Sequence, residues 1–225
     1  MRRFKNILFV YEDSLDNDAA LGRAADLAAG NEATLTLVHA LEVTPGHEGA
    51  DPGWDELRTS WKRQLDALAE PIAARGVAIT TEVLTGIPFR EIITYVGRRG
   101  VDLVMKTAMR PGGPRGLLFG SLDLHLMRKC PCPVWVDKGG EGDGPYRRIM
   151  AAVDVSDDSH LGRAMSRAIL DLATSLGRLE DADVHVVHAW SSTGERMAKA
   201  SRRGLLPLRE IRENADAEAT AREAR

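Results

Sequence analysis

The side chains best equipped for chemistry stand where apolar runs of this chain end. Glu12 and Asp13 follow residues 5–11 (KNILFVY), His39 lies near the end of 34–40 (TLTLVHA), and Lys106 lies near the end of 101–107 (VDLVMKT). Arg110 then opens a Pro/Gly-rich loop over 110–116, and Gly120-Ser121 begins a helical stretch. A strand that leads through a glycine loop into a helix N-terminus offers free backbone N–H groups and the positive end of a helix dipole, a setting that holds anions. Lys106 and Arg110 can pair with an anion directly. Ser121 can donate to a phosphate or cap its own helix. His39 can face a ligand or serve as a structural hydrogen-bonder.

These residues need elements to position them. The runs at 5–11, 34–40, 77–84, 101–107 and 133–137 are short, apolar and β-rich, the pattern of strands covered on both faces. Between them, residues 16–29, 55–74, 86–99 and 120–129 carry apolar positions at helical spacing, with Gly30-Asn31 as a stop for the first. The segment 44–54 holds Pro45, Gly46, Pro52 and Gly53 and reads as a loop. Alternation of this kind predicts an α/β fold: an open parallel five-stranded sheet with helices on both faces and right-handed crossovers. Ligands of such folds sit outside the carboxyl ends of the strands. Those ends carry Glu12, Asp13, His39 and Lys106.

Composition narrows the class. The chain has 225 residues, 44% hydrophobic and 28% charged, with a net charge of -3. Residues 1–139 hold 17 Lys+Arg against 18 Asp+Glu and the remainder 13 against 15, so neither part has the basic footprint of a nucleic-acid binder. No apolar run approaches the roughly 20 residues of a membrane span. The N-terminal MRRFKNILFV lacks the cleavage site of a signal peptide and runs straight into a strand, so a cytoplasmic location is expected. Cys130 and Cys132, the only cysteines, flank Pro131 at a spacing too tight for an ordinary disulfide and unlike a C-x-x-C site. They read as buried structural thiols. His185 and His188 point to opposite sides of a strand, which disfavours a metal site, and no G-x-S-x-G elbow accompanies Ser121.

After a glycine-rich linker at 140–146 the chain begins again. Residues 149–156 (IMAAVDVS) parallel 7–14 (ILFVYEDS), LGRA at 161–164 repeats LGRA at 21–24, and VHVVHA at 184–189 parallels LTLVHA at 35–40. Asp154 thereby stands opposite Glu12, and His188 opposite His39. Three matches in one order indicate an internal duplication. The expected organisation is a domain at 1–139, the linker, and an incomplete second copy at 147–225 with a helical tail from about residue 195.

These residues resemble the universal stress protein family in its tandem form. The resemblance rests on the first strand closing on an acidic residue and Ser, the Val38-His39 and Val187-His188 strand ends, Gly86-Ile87-Pro88, Val101-Asp102-Leu103-Val104, Gly120-Ser121 and Pro131-Cys132-Pro133-Val134. It implies a stress-response protein, a binding and regulatory module and not an enzyme, from a family in which some members bind ATP. Those members carry G-x-x-G, nine residues, then G-S or G-T. Here Gly120-Ser121 remains, but the earlier glycines would fall on Thr107 and Arg110, or on Lys106 with one insertion. A side chain obstructs a backbone that must approach a phosphate closely. The resemblance therefore implies a degenerate nucleotide loop and no resident cofactor, with ATP or another nucleotide as the alternative ligand. Lys106 and Arg110 would then replace the lost backbone donors, with slow ATP hydrolysis following.

By the same resemblance Glu12 and Asp154 line a pocket, and Glu12 and Asp13 would read an adenine or ribose or else cap the next helix. A carrier of a small apolar ligand between the halves is a further reading. The strand from Pro133 to Val136 would expose unpaired backbone groups at a sheet edge, so a homodimer through that strand is expected.

Overall fold

The computed structural model describes residues 4–43, 53–109, 120–138, 146–157 and 159–189. It divides into two compact units, Met1–Asp143 and Gly144–Arg225, and the division falls inside the expected linker.

The first unit runs β1 (Asn6–Val10), α1 (Asp18–Asn31), β2 (Thr34–Glu42), α2 (Gly53–Ala74), β3 (Ile79–Gly86), α3 (Pro88–Arg99), β4 (Leu103–Thr107), α4 (Ser121–Lys129) and β5 (Val134–Asp137). The strands form one parallel sheet in the order β3-β2-β1-β4-β5. The alternation expected from the sequence is present, with all five strands and four helices in place. Successive side chains of β1 leave on opposite faces. Ile7 and Phe9 join Leu35, Leu37 and Met105 beneath α1 and α2, while Leu8 and Val10 join Val38 and Val104 beneath α3 and α4. Phe9 and Leu8 are fully buried, and side chains of this size stabilise by roughly 1.5–3 kcal/mol each on leaving water. Because β1 lies between β2 and β4, the strand order turns there, and the carboxyl ends of β1 and β4 form the switch point.

One element ends later than its residues suggest. Helix α1 passes through Gly30 and Asn31 and stops at Glu32, which adopts a left-handed conformation (φ 49°). Asn31 stays helical because its side-chain amide donates to the Leu27 carbonyl (2.8 Å) while its Oδ1 accepts the Phe4 N–H (3.2 Å).

The second unit contains β6 (Arg148–Ala152), α5 (His160–Glu180) and β7 (Asp183–Val187), with the two strands parallel. It reproduces the first β-α-β of the chain at the level of single bonds. Helix α5 ends at Asp181 in the left-handed region (φ 54°), as α1 does at Glu32. Ala182 N–H donates to Gly177 O (2.9 Å) where Ala33 donates to Ala28 O (3.0 Å), and Asp183 N–H donates to Arg147 O (3.0 Å) where Thr34 donates to Lys5 O (2.8 Å). The helical tail expected after residue 195 lies outside the described residues.

Candidate functional site

The switch point holds a buried charge cluster. Lys106, the fourth residue of β4, has a side chain with no solvent exposure. Its ammonium donates to the Thr107 carbonyl (2.7 Å) and to Asp123 Oδ1. It also lies 2.6 Å from Glu12 Oε1, an ion-pair contact without hydrogen-bond alignment, so that this buried oxygen accepts no hydrogen bond. A lysine ammonium has three donors and no acceptor; here it is enclosed by a carbonyl and two carboxylates. One cation faces two anions, and the cluster carries a formal charge of about -1 with all three groups ionised.

Asp123 is the hub. Its Oδ2 accepts the backbone N–H of Gly120 (3.0 Å) and of Met109 (3.3 Å), and its side chain is 1% exposed. An acid at the third helical position reaching back to the cap residue is the carboxylate half of a capping box. Asp123 thus takes the Gly120 N–H at the start of α4 and pairs with Lys106 through the same carboxylate. Its helical position was readable in Gly120-Ser121-Leu122-Asp123; its pairing with Lys106, across 17 residues, was not.

A second set of bonds ties the β1 end to its surroundings. Asn17, 3% exposed, donates to the carbonyls of Glu12 (2.8 Å) and Leu15 (2.9 Å), and its Oδ1 accepts from Thr107 Oγ1 (3.0 Å). The turn carrying Glu12 is therefore fixed to β4. Asn17 does not stand out in the sequence, and Thr107 does so only as the place of a missing glycine, since buried polar staples of this kind leave no periodic signal.

His39 Nδ1 lies 3.0 Å from the Tyr11 carbonyl, and its ring stacks on Trp61 of α2 at 3.7 Å and 15°. Desolvation lowers its pKa below the ordinary histidine value, opposed in part by the Tyr11 carbonyl and the nearby Asp13 and Glu12 carboxylates. Trp61, which the helical pattern marks only as a core or interface residue, is the cover of this imidazole.

The sequence-predicted residues therefore separate. Glu12 and Lys106 are brought together, and Gly120 joins them through Asp123. Asp13 is exposed. Ser121 is exposed and is the first residue of α4; the cap position falls to Gly120 (φ -71°), one residue before the cap expected from the hydroxyl, because the Asp123 carboxylate takes the Gly120 N–H. Arg110 and the glycines at 112 and 113 lie outside the described residues. Asp154 belongs to the second unit, where its Oδ1 accepts from Ser156 N–H (2.9 Å) and Oγ (2.6 Å). Those bonds hold its carboxyl below the usual range, with His188 a lesser contributor. His188 Nδ1 lies 3.0 Å from the Val153 carbonyl, the counterpart of the His39 bond. Cys130 and Cys132, expected to be buried, are both half-exposed.

A five-stranded parallel sheet in the order β3-β2-β1-β4-β5 with helices on both faces defines an open α/β protein. The sequence pattern that defines the Universal stress protein family matches residues 3–138, and the chain belongs to that family. It is similar to universal stress protein E of Escherichia coli K12, 28% identical over 208 residues, covering 86% of this chain and 64% of that protein. The homologue in Haemophilus influenzae is 28% identical over 213 residues, covering 87% and 67% respectively. The chain thus spans a little under two thirds of the length of the Escherichia coli relative. Among solved structures, universal stress protein UspA from Lactobacillus plantarum shares 26% identity over 60% of this chain and 99% of its own, with a TM-score of 0.51. A crystal structure from Pseudomonas aeruginosa UCBPP-PA14 covers 96% of this chain and 70% of its own at a TM-score of 0.66 and 24% identity, a likeness of fold. No described helix is long and apolar enough to cross a membrane.

Proposed function

We propose that this protein is a cytoplasmic binding and regulatory module of the stress response, without catalytic turnover, whose first unit does not hold nucleotide phosphates. The enclosure of Lys106 by Glu12 and Asp123 carries this reading. A triphosphate arriving at the β1 and β4 ends would meet a buried cluster with an excess carboxylate in place of an open glycine cradle. Recruiting the Lys106 ammonium would strand two carboxylates, a cost of several kcal/mol. Thr107 and Lys106, the positions where the family's first glycine would fall, are both buried. Calorimetric titration with ATP should give heats no different from dilution at ligand concentrations where a micromolar site would saturate. A micromolar isotherm that disappears when adenosine replaces ATP would overturn the reading.

The alternative of an ATP-binding protein with slow hydrolysis draws on the exposed Ser121 hydroxyl at the start of α4. It requires Lys106 to leave its cluster, so ATP affinity unchanged by Lys106→Ala would remove it. We further propose that two chains associate through β5, the outer strand next to β4, since an outer strand presents unpaired backbone groups to a partner.

A further inference from the structure

Both cysteines of this chain precede prolines, in the run Cys130-Pro131-Cys132-Pro133 between α4 and β5. A following proline steers a residue away from the helical region toward extended conformations. Cys130, the residue that ends α4, has φ -67° and ψ 133°. The chain then bends at Pro131 and Cys132, and the two Sγ atoms lie 3.6 Å apart. Both are half-exposed, and both pack against the apolar cluster beneath α3 and α4. The prolines hold the thiols side by side, partly buried against that cluster.

We propose that Cys130 and Cys132 form a dithiol site that is reversibly oxidised by small-molecule disulfides of the glutathione type, one thiol attacking and its neighbour resolving. The two share a hydrogen bond in which either sulfur can be the donor. That bond draws the thiol that accepts it down to about 7 and pushes its partner up. A thiolate with a pKa near ambient pH is close to the optimum for attack on a disulfide.

With Cys130 as the first of the two to react, its thiolate attacks one sulfur of the disulfide RSSR. A Cys130–S–S–R bond forms, the original S–S bond breaks, and RS⁻ leaves and takes a proton. In the second step the Cys132 thiol gives its proton to solvent and attacks Cys130 Sγ. The Cys130–Cys132 bond forms and the second RS⁻ departs. Two electrons pass from the protein thiols to RSSR, which ends as two RSH. A disulfide closed across a single intervening residue departs from relaxed geometry, and such bonds are the more readily reduced ones. Excess RSH therefore returns the dithiol.

The full chain is treated with oxidised glutathione at neutral pH and followed by intact mass spectrometry, where two cysteines make the assignment unambiguous. The expected end state of the unaltered protein is lighter by two hydrogen atoms, with no retained glutathione, and reverts when reduced glutathione is added in excess. Cys132→Ser and Cys130→Ser should each stop at one retained glutathione adduct, because neither has a second thiol to resolve it. A stable glutathione adduct on the unaltered protein, or no reaction at all in the folded chain when the urea-unfolded chain reacts, would each overturn the proposal.

Discussion

At the scale of single residues, the lysine that seemed an anion hook is an internal counter-ion. Its position near the end of β4 was legible because 101–107 is an apolar run and Lys106 interrupts it. What closes on it was not legible, because Glu12 and Asp123 come from distant parts of the chain and meet it only once the sheet has ordered β1 beside β4. The energetics follow from the desolvation of charge. Lys106→Met should destabilise the first unit by about 3–5 kcal/mol, because it leaves the buried Asp123 carboxylate and the partly buried Glu12 without a cation. Urea unfolding checks this, and a loss below 1 kcal/mol would mean that the cluster is not a unit.

His39 makes a pH prediction of opposite character. Its folded pKa is depressed by burial, so below the unfolded value of about 6.5 the unfolded chain binds more protons and stability rises with pH. The contribution is present above about pH 6.5 and is lost as pH falls toward the folded pKa. Thermal midpoints between pH 7 and 5 should decline more steeply for the unaltered protein than for His39→Asn; parallel lines would remove His39 as a source of the slope.

Elements were easier to read than contacts. Strand and helix alternation is written in two periodicities, and it placed all five strands of the first unit and the helices between them. Boundaries moved where a side chain outweighed a local rule, as at Asn31, whose bonds carry α1 past Gly30. The edge strand invites a sharper test. The Val104 N–H donates to Pro133 O and the Ala108 N–H to Asp137 O, so residues 133, 135 and 137 direct their backbone groups to β4, and those of Val134 and Val136 point away. Proline is tolerated on an edge strand where its missing N–H faces outward. Val136→Pro should therefore leave the far-UV circular dichroism of the chain intact while abolishing association through β5. A variant that keeps the oligomeric state of the parent in light scattering would place the contact elsewhere.

For the whole molecule, the residues that the second unit shares with the first were visible in the sequence, but their exposure was not. Met150 is 70% exposed and Leu161 72%, whereas their counterparts Leu8 and Leu21 are 0% and 7% exposed. The same positions differ because β1 has strands on both sides and helices on both faces, while among the described residues β6 pairs with β7 alone. Fewer buried contacts mean easier local opening. Hydrogen exchange on the intact chain should show amides of β6 and β7 exchanging at least about tenfold faster than those of β1 and β4. Equal protection in the two units would show that the exposed face of the second is covered in solution.

The paired histidines close a different question. Around them the two stretches differ: Tyr11 corresponds in sequence to Val153 and Glu12 to Asp154, and the aromatic cover given by Trp61 belongs to the first unit. The tie from imidazole to the preceding strand has nevertheless kept its length, 3.0 Å in each. The chain has in effect run its own substitution experiment, exchanging the neighbours and retaining the bond. What persists through such an exchange is a tie that the architecture of the turn itself uses, carried by His39 and His188 alike.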